Sequence, residues 1–151
     1  MSDCAARPRY AGAYRTRSTS VIPARPLRIP PVFDHVVFNV RDFDASRAFY
    51  EGALTPLGYR VVMDFGKAVA FGTDDKPSFW IFEREPYGTA THVAFACDHR
   101  ETVDAFYAAA LAAGGKDNGP PGLREQYHPT YYAAFAYDPD GNNIEAVCHR
   151  G

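Results

Sequence analysis

The spacing of apolar and polar residues predicts a strand, a helix and three further strands in the first half of the chain. Residues 33–40 (FDHVVFNV) alternate as a half-buried strand does. Asp42 or Asp44 is placed to cap a helix that ends near Leu57, where Pro56 and Gly58 follow the helix pattern. Three short strands are predicted over residues 59–65, 67–72 and 78–82.

The second half predicts the same order of elements. Residues 92–97 (HVAFAC) form the opening strand, and a helix begins at Asp98 or His99 and ends at Gly114. The Gly- and Pro-rich residues 116–122 are predicted as a loop. Strands follow over residues 123–128, 131–137 and 143–149, and the last two are joined by a turn over residues 138–141.

The two halves are related by an internal repeat. A shift of 57 residues aligns residues 34–58 with residues 91–115, and nine of the 25 aligned positions are identical. Two copies are too few for a solenoid, so they predict one domain of two modules, 33–83 and 91–149, joined by a linker over 84–90. The identical pairs are His35/His92, Val36/Val93, Phe38/Phe95, Ala48/Ala105, Phe49/Phe106, Tyr50/Tyr107, Ala53/Ala110, Leu54/Leu111 and Gly58/Gly115.

Composition and charge narrow the class of protein. The 151 residues are 46% hydrophobic and 23% charged, as expected of one globular domain. Residues 1–32 contain six arginines, one aspartate and five prolines, which predicts a disordered tail of net charge +5. The rest of the chain then carries −7, because the total is −2. An acidic body argues against nucleic acid as a partner.

The expected location is the cytoplasm. The sequence has no apolar run long enough to span a membrane and no secretory signal pattern. Its three cysteines, Cys4, Cys97 and Cys148, are odd in number and lack C-x-x-C spacing. They predict free thiols in a reducing compartment.

The histidines that match in the repeat are the first candidates for a functional site. A pseudo-twofold arrangement of the modules would direct His35 and His92 into one concavity. In the last predicted strand Glu145 stands between Ile144 and Ala146, where burial of a carboxylate is costly unless it is paired or bound to a metal. Two imidazoles and one carboxylate can hold a divalent metal. The alternative is structural: histidines hydrogen-bonded within their strands and Glu145 facing water.

The paired modules and three motifs resemble the vicinal oxygen chelate superfamily, which includes glyoxalase I, extradiol dioxygenases, fosfomycin-modifying enzymes and bleomycin-resistance proteins. The motifs are DHVVFNV, HVAFAC and DPDGNNIEAV, and the resemblance covers residues 33–149. It implies an α+β fold of two tandem βαβββ modules that form a mixed, cup-shaped sheet with the helices outside. It also implies metal ligands on the first and last strands of the modules, which here are His35, His92 and Glu145.

One position departs from glyoxalase I. Alignment of residues 78–82 with 143–147 places Trp80 opposite Glu145 in the repeat, where glyoxalase I-like enzymes have an acid that binds metal and carries a proton. An indole can do neither, which disfavours glyoxalase I activity. The remaining two histidines and one carboxylate resemble the ligand set of the extradiol dioxygenases.

The resemblance also suggests residues that line the cavity. His128 and Tyr132 are candidates for acid/base catalysis, and Arg124 is a candidate for contact with an anionic substrate. Trp80 and Tyr127 would supply an aromatic wall. The structural alternatives are an exposed Tyr-His-Pro turn for His128, an offset to the acidic surface for Arg124, and ordinary packing for the aromatic residues.

The expected function is that of a metalloenzyme acting on a small-molecule substrate. A divalent metal (Fe, Mn, Ni or Zn) would chelate vicinal oxygens of the substrate, with dioxygenase-like or lyase- or isomerase-like chemistry. The alternative needs no metal: a ligand-sequestering protein of the bleomycin-resistance type, which Trp80 and the other aromatic residues would suit. Members of this superfamily often form homodimers, and the exposed sheet edges are compatible with one here.

Overall fold

The order of elements predicted from the repeat is present in the computed structural model, which describes residues 33–150. The tail predicted over residues 1–32 lies outside the described residues. A 3₁₀ turn, Thr55–Leu57, follows the first helix. The elements are β1 (Val36–Val40), α1 (Phe43–Leu54), β2 (Arg60–Asp64), β3 (Ala68–Gly72), β4 (Phe79–Glu83), β5 (His92–Cys97), α2 (Arg100–Ala112), β6 (Lys116–Leu123), β7 (Tyr132–Tyr137) and β8 (Asn143–Cys148).

Each module forms its own four-stranded mixed sheet. The strand orders are β1-β4-β3-β2 and β5-β8-β7-β6. The first and last strands of each module, β1 with β4 and β5 with β8, are parallel, and the other neighbours are antiparallel. The predicted α+β fold of two tandem βαβββ modules is therefore confirmed.

The strand register is the same in the two modules. Val37 pairs with Trp80 in the first sheet, and Ala94 pairs with Glu145 in the second. Because Val37 and Ala94 are matched by the 57-residue shift, Trp80 and Glu145 occupy equivalent positions. The register thus supports the alignment that placed an indole opposite the carboxylate.

Local sequence explains where the first helix begins and ends. The Asp42 side chain accepts a hydrogen bond from the Ala45 amide at 3.0 Å and caps α1, as predicted. At the other end the 3₁₀ turn stops at Gly58, whose φ of +80° favours glycine. The second helix begins after His99, whose side chain makes no capping hydrogen bond.

The modules share one apolar core, because the two helices pack against each other. Phe49 of α1 lies against Gly115, where a Cβ would stand 2.5 Å from the Phe49 ring. Phe79 of β4 contacts Phe95 of β5 edge-to-face at 5.7 Å between ring centroids. A methyl group at position 115 would clash with the Phe49 ring and with the Ala110 carbonyl oxygen, so the contact between α1 and the second module would have to change.

A buried polar contact also joins the modules. The Tyr50 hydroxyl donates to Asp138 Oδ2 at 2.5 Å, and both residues are almost completely buried. Asp138 accepts further hydrogen bonds from the backbone amides of Asp140 and Asn142 and from the Asn142 side chain. Its carboxylate thereby organises the predicted β7–β8 turn, so burial of the charge is matched by several donors.

The prediction for residues 116–128 was wrong. Residues 116–122 were predicted as a loop and 123–128 as a strand, whereas the strand is Lys116–Leu123 and residues 125–127 form a turn. Because β6 is an edge strand with two register shifts, Pro120 and Pro121 do not interrupt a ladder on both sides. The glycine and proline content therefore signalled an irregular edge strand.

We expect Tyr50→Phe to lower the free energy of unfolding by about 2 kcal/mol, because it leaves the buried Asp138 carboxylate without one donor. The matched control is Tyr107→Phe at the equivalent position of the repeat. The Tyr107 hydroxyl bonds Asp117 at the surface, so its loss should cost less than about 1 kcal/mol. Urea unfolding measures both, and equal losses would contradict a specific role for the buried contact.

Candidate functional site

A histidine and a buried carboxylate meet on the second sheet. His92 on β5 and Glu145 on β8 share the face that points away from the helices, where Ala94 and Ala96 are exposed. The distance from His92 Nε2 to Glu145 Oε2 is 2.8 Å. Glu145 is 1% exposed, while the His92 side chain is 51% exposed. The imidazole is thus accessible from solvent and its acidic partner is not.

Tyr131 completes this group, which we call the Glu145 cluster (His92, Tyr131 and Glu145). The Tyr131 hydroxyl donates to Glu145 Oε1 at 2.6 Å, so each carboxylate oxygen has a partner. Burial, and then the hydrogen bond to the Glu145 carboxylate, raise the pKa of Tyr131 to about 12. Tyr131 therefore stays protonated at neutral pH and holds the carboxylate in a fixed orientation.

His35 makes no hydrogen bond or ion pair with the Glu145 cluster. Its Nδ1 is 3.1 Å from Asp34 Oδ2, and its side chain is about half exposed. It lines two open clefts of about 280 and 210 Å³, and neither cleft includes His92 or Glu145. Among residues 33–150, no group of three or more His, Cys, Asp and Glu side chains could hold a metal ion. One chain therefore brings together two of the three predicted metal ligands.

The first sheet presents aromatic rings where the second presents the Glu145 cluster. Trp80 stacks between Phe65, at 6.3 Å and 8° between ring planes, and Phe82, at 5.6 Å and 22°. Phe65 is 71% exposed, and Met63 and Val37 are also exposed. We call this surface the aromatic face (Val37, Met63, Phe65, Trp80 and Phe82). It is an apolar surface that one chain leaves open to water.

The remaining predicted residues take different places. The Tyr132 hydroxyl donates to Asp104 of α2 at 2.8 Å, so Tyr132 points toward the helix and not toward Glu145. Tyr127 is exposed and packs edge-to-face on Tyr131 at 5.3 Å between centroids. His128 lies in an exposed turn, with Nδ1 3.1 Å from Thr130 Oγ1. Neither His128 nor Tyr132 is brought to the Glu145 cluster.

The Phe135 ring lies close both to Arg124 and to the Glu145 cluster. Its guanidinium carbon lies 5.5 Å from the centroid of the Phe135 ring. The Phe135 ring is in turn 6.4 Å from the His92 ring, and Phe135 is the strand partner of Glu145.

Tyr131 is the member of the cluster that the sequence prediction missed. Strand alternation could have identified it. Tyr131, Ala133 and Phe135 are alternate residues and so lie on one face of the strand, and Phe135 pairs with Glu145. The adjacent Tyr132 pairs with Cys148 and shares the core side of the sheet.

Comparison with known proteins gives the same family by sequence and by structure. A sequence model of the Glyoxalase/Bleomycin resistance protein/Dioxygenase superfamily matches residues 32–146. A glyoxalase/bleomycin resistance protein from Albidiferax ferrireducens is 30% identical, with a TM-score of 0.68, and the match covers 78% of this chain and 98% of that one. No curated protein sequence gives a significant match.

Two more distant structures share the fold alone. A lactoylglutathione lyase from Agrobacterium tumefaciens is 20% identical with a TM-score of 0.56, and the match covers 78% of this chain and 94% of that one. A fosfomycin resistance protein from Mesorhizobium loti is 22% identical with a TM-score of 0.56, and the match covers 76% and 88% of the two chains.

The helices α1 and α2 do not have the length and hydropathy needed to cross a bilayer, and no other described helix does.

We expect Tyr131 to stay protonated at about pH 11, where tyrosines of ordinary pKa have ionised. Glu145→Gln removes the neighbouring negative charge and should shift the Tyr131 titration to lower pH, while burial keeps it above the usual value. The ¹³Cζ resonance of Tyr131 reports its ionisation, and the exposed Glu125→Gln is the control. Ionisation of Tyr131 together with the ordinary tyrosines of the wild-type protein would contradict the described contact.

Proposed function

The chain belongs to the Glyoxalase/Bleomycin resistance protein/Dioxygenase superfamily, and we propose that it is a metal-dependent enzyme acting on a small molecule at the Glu145 cluster. The observation that carries this proposal is the 2.8 Å contact between His92 and a fully buried Glu145 on an otherwise open sheet face. A carboxylate is retained in such a place only with strong partners.

The donor chemistry fits a divalent metal in part. An imidazole nitrogen and a carboxylate oxygen are ligands that Zn, Mn, Ni and Fe accept, but two protein ligands are fewer than such sites use. His92 and Glu145 would hold the ion together with a third ligand, His35. When bound, the metal would act as a Lewis acid toward two oxygens of the substrate. Tyr131 would orient Glu145 through its second oxygen, as carboxylate ligands commonly require.

The third ligand is best supplied by a second copy of the chain. Within one chain His35 bonds Asp34 and lines a cleft with the aromatic face, and it makes no hydrogen bond with His92 or Glu145. In a twofold dimer, the aromatic face of each subunit would cover the Glu145 cluster of the other, giving two equivalent sites. This arrangement also removes exposed Phe65 and Met63 from water.

A second function is favoured by the aromatic face itself. The stack of Phe65, Trp80 and Phe82 can bind a planar or apolar ligand without any metal. Trp80 stands where an acid would be needed for glyoxalase I chemistry, so the first module contributes no carboxylate at that position. On this alternative the protein sequesters a ligand between the two copies, and the purified protein contains no stoichiometric metal.

We expect protein purified without chelators to contain about one metal ion per chain by elemental analysis. His35→Ala, His92→Ala and Glu145→Gln should each lose most of that metal, because each removes one of three ligands. His99→Ala is the matched control, since His99 is exposed and its side chain makes no capping contact. Stoichiometric metal in all three variants would rule out this site, and its absence from the wild type would favour the metal-free function.

Mixing two defective variants tests whether the site is shared between copies. If His35 acts across the dimer, unfolding and refolding His35→Ala together with Glu145→Gln should restore about a quarter of the wild-type metal content. Half of the dimers would then be mixed, and each mixed dimer would contain one intact site. A site contained within one chain would regain nothing, and that result would contradict the dimeric arrangement.

A further inference from the structure

We propose that Arg124 is an anion-binding residue of this site and that the substrate carries a carboxylate group. The inference rests on the proposed function, because it assigns a substrate class to the same sheet face. Arg124 immediately follows β6, and its guanidinium donates to two backbone carbonyls of that strand. Nη2 bonds the Pro120 oxygen at 2.6 Å, and Nη1 bonds the Leu123 oxygen at 3.4 Å.

Two glycines of β6 lie next to the Arg124 guanidinium. A Cβ at Gly122 would lie 3.0 Å from Arg124 Nη1. A Cβ at Gly119 would lie 3.4 Å from Nη2 and 3.0 Å from the Phe135 ring. The absence of a side chain at Gly122 leaves room for the guanidinium beside the β6 backbone, and a methyl group there would press on Nη1. The Gly-rich sequence of β6 therefore has a consequence for the side chain of Arg124.

The charge of Arg124 has no carboxylate partner among residues 33–150. Arg47, Arg60 and Arg150 each lie within 3.0 Å of an Asp or Glu oxygen, whereas Arg124, like Arg41, Arg84 and Arg100, forms no such ion pair in this part of the chain. Of these four arginines, Arg124 is the one whose guanidinium lies over a ring next to His92. Glu145 does not pair with it, since the one ion pair of the Glu145 carboxylate among the described residues is with His92. A guanidinium has five N–H donors in a planar fork, and two carbonyl contacts leave donors free for a carboxylate.

Phe135 connects this cation to the Glu145 cluster. Its ring contacts the Arg124 guanidinium on one side and the His92 ring on another. A small molecule whose carboxylate binds Arg124 would therefore lie over Phe135 with its other end directed toward His92. The expected substrate is therefore a compact molecule with an anionic group at one end and the reacting oxygens at the other.

The test uses benzoate as the probe and benzamide as its neutral isostere, with the full-length protein labelled with ¹⁵N. We expect the Nε–H resonance of Arg124 to shift saturably with benzoate and to stay unchanged with benzamide. Arg124→Gln should raise the Kd for benzoate by about tenfold or more, and Arg124→Lys, which keeps the charge but loses the fork, should raise it as well. Arg60→Gln, which removes an exposed arginine with its own partner, should change nothing.

Gly122→Ala provides an independent variant that keeps the arginine. Its added methyl group displaces Nη1, so we expect a weaker benzoate affinity with an unchanged backbone spectrum. Equal benzoate affinity in the wild type and in the Arg124 variants would overturn the inference, as would equal binding of benzamide. The metal content of Arg124→Gln should match that of the wild type. Loss of benzoate binding with metal retained thus separates this inference from the proposed function.

Discussion

The buried carboxylate of Glu145 is the main electrostatic constraint on the second sheet. A charged side chain in the middle of an apolar strand is costly unless donors or a cation balance it. Here His92 and Tyr131 occupy its two oxygens, and their positions follow from the β5–β8 and β7–β8 registers. Burial of the tyrosine itself, and then its hydrogen bond to the Glu145 carboxylate, raise the pKa of Tyr131. Fold and chemistry are linked at this residue.

The packing of the modules determines which surfaces are left for function. Helices α1 and α2 meet in a common core, and Tyr50 reaches across to Asp138 in the β7–β8 turn. The faces of both sheets that pack on this core are thereby buried. The aromatic face and the Glu145 cluster remain on the opposite sides, each open to water within one chain. In the proposed dimer, one twofold contact would cover the two surfaces at once.

Much of the fold could be predicted from the sequence because both halves of the repeat show the same pattern of elements. The bounds of β5 were predicted to the residue. Trp80 was correctly assigned to the position of the first sheet that corresponds to Glu145 in the second. The strand β6 was missed, because propensities treat glycine and proline as loop signals whatever the strand's position in the sheet. Its irregular edge also hid the relation of Arg124 to Gly122, which depends on side-chain contacts and not on spacing.

The site was harder to predict than the fold for a physical reason. Sequence symmetry makes His35 and His92 equivalent, but equivalence does not determine whether the two faces meet within a chain or between chains. Alternation places Tyr131 and Tyr132 on opposite faces, but the face that carries Glu145 is known only from the β7–β8 register, so Tyr132 was chosen where Tyr131 makes the contact. Contacts of this kind follow from tertiary packing.

In the proposed metal centre, His92 and Glu145 of one subunit are joined by His35 of the partner subunit. Anomalous diffraction from crystals of the metal-loaded protein would locate the ion. The proposed centre predicts one strong peak about 2.0–2.2 Å from His92 Nε2, a Glu145 oxygen and the imidazole of His35 of the partner subunit. A metal peak elsewhere in the molecule, or at this position with all of its ligands from one chain, would contradict it.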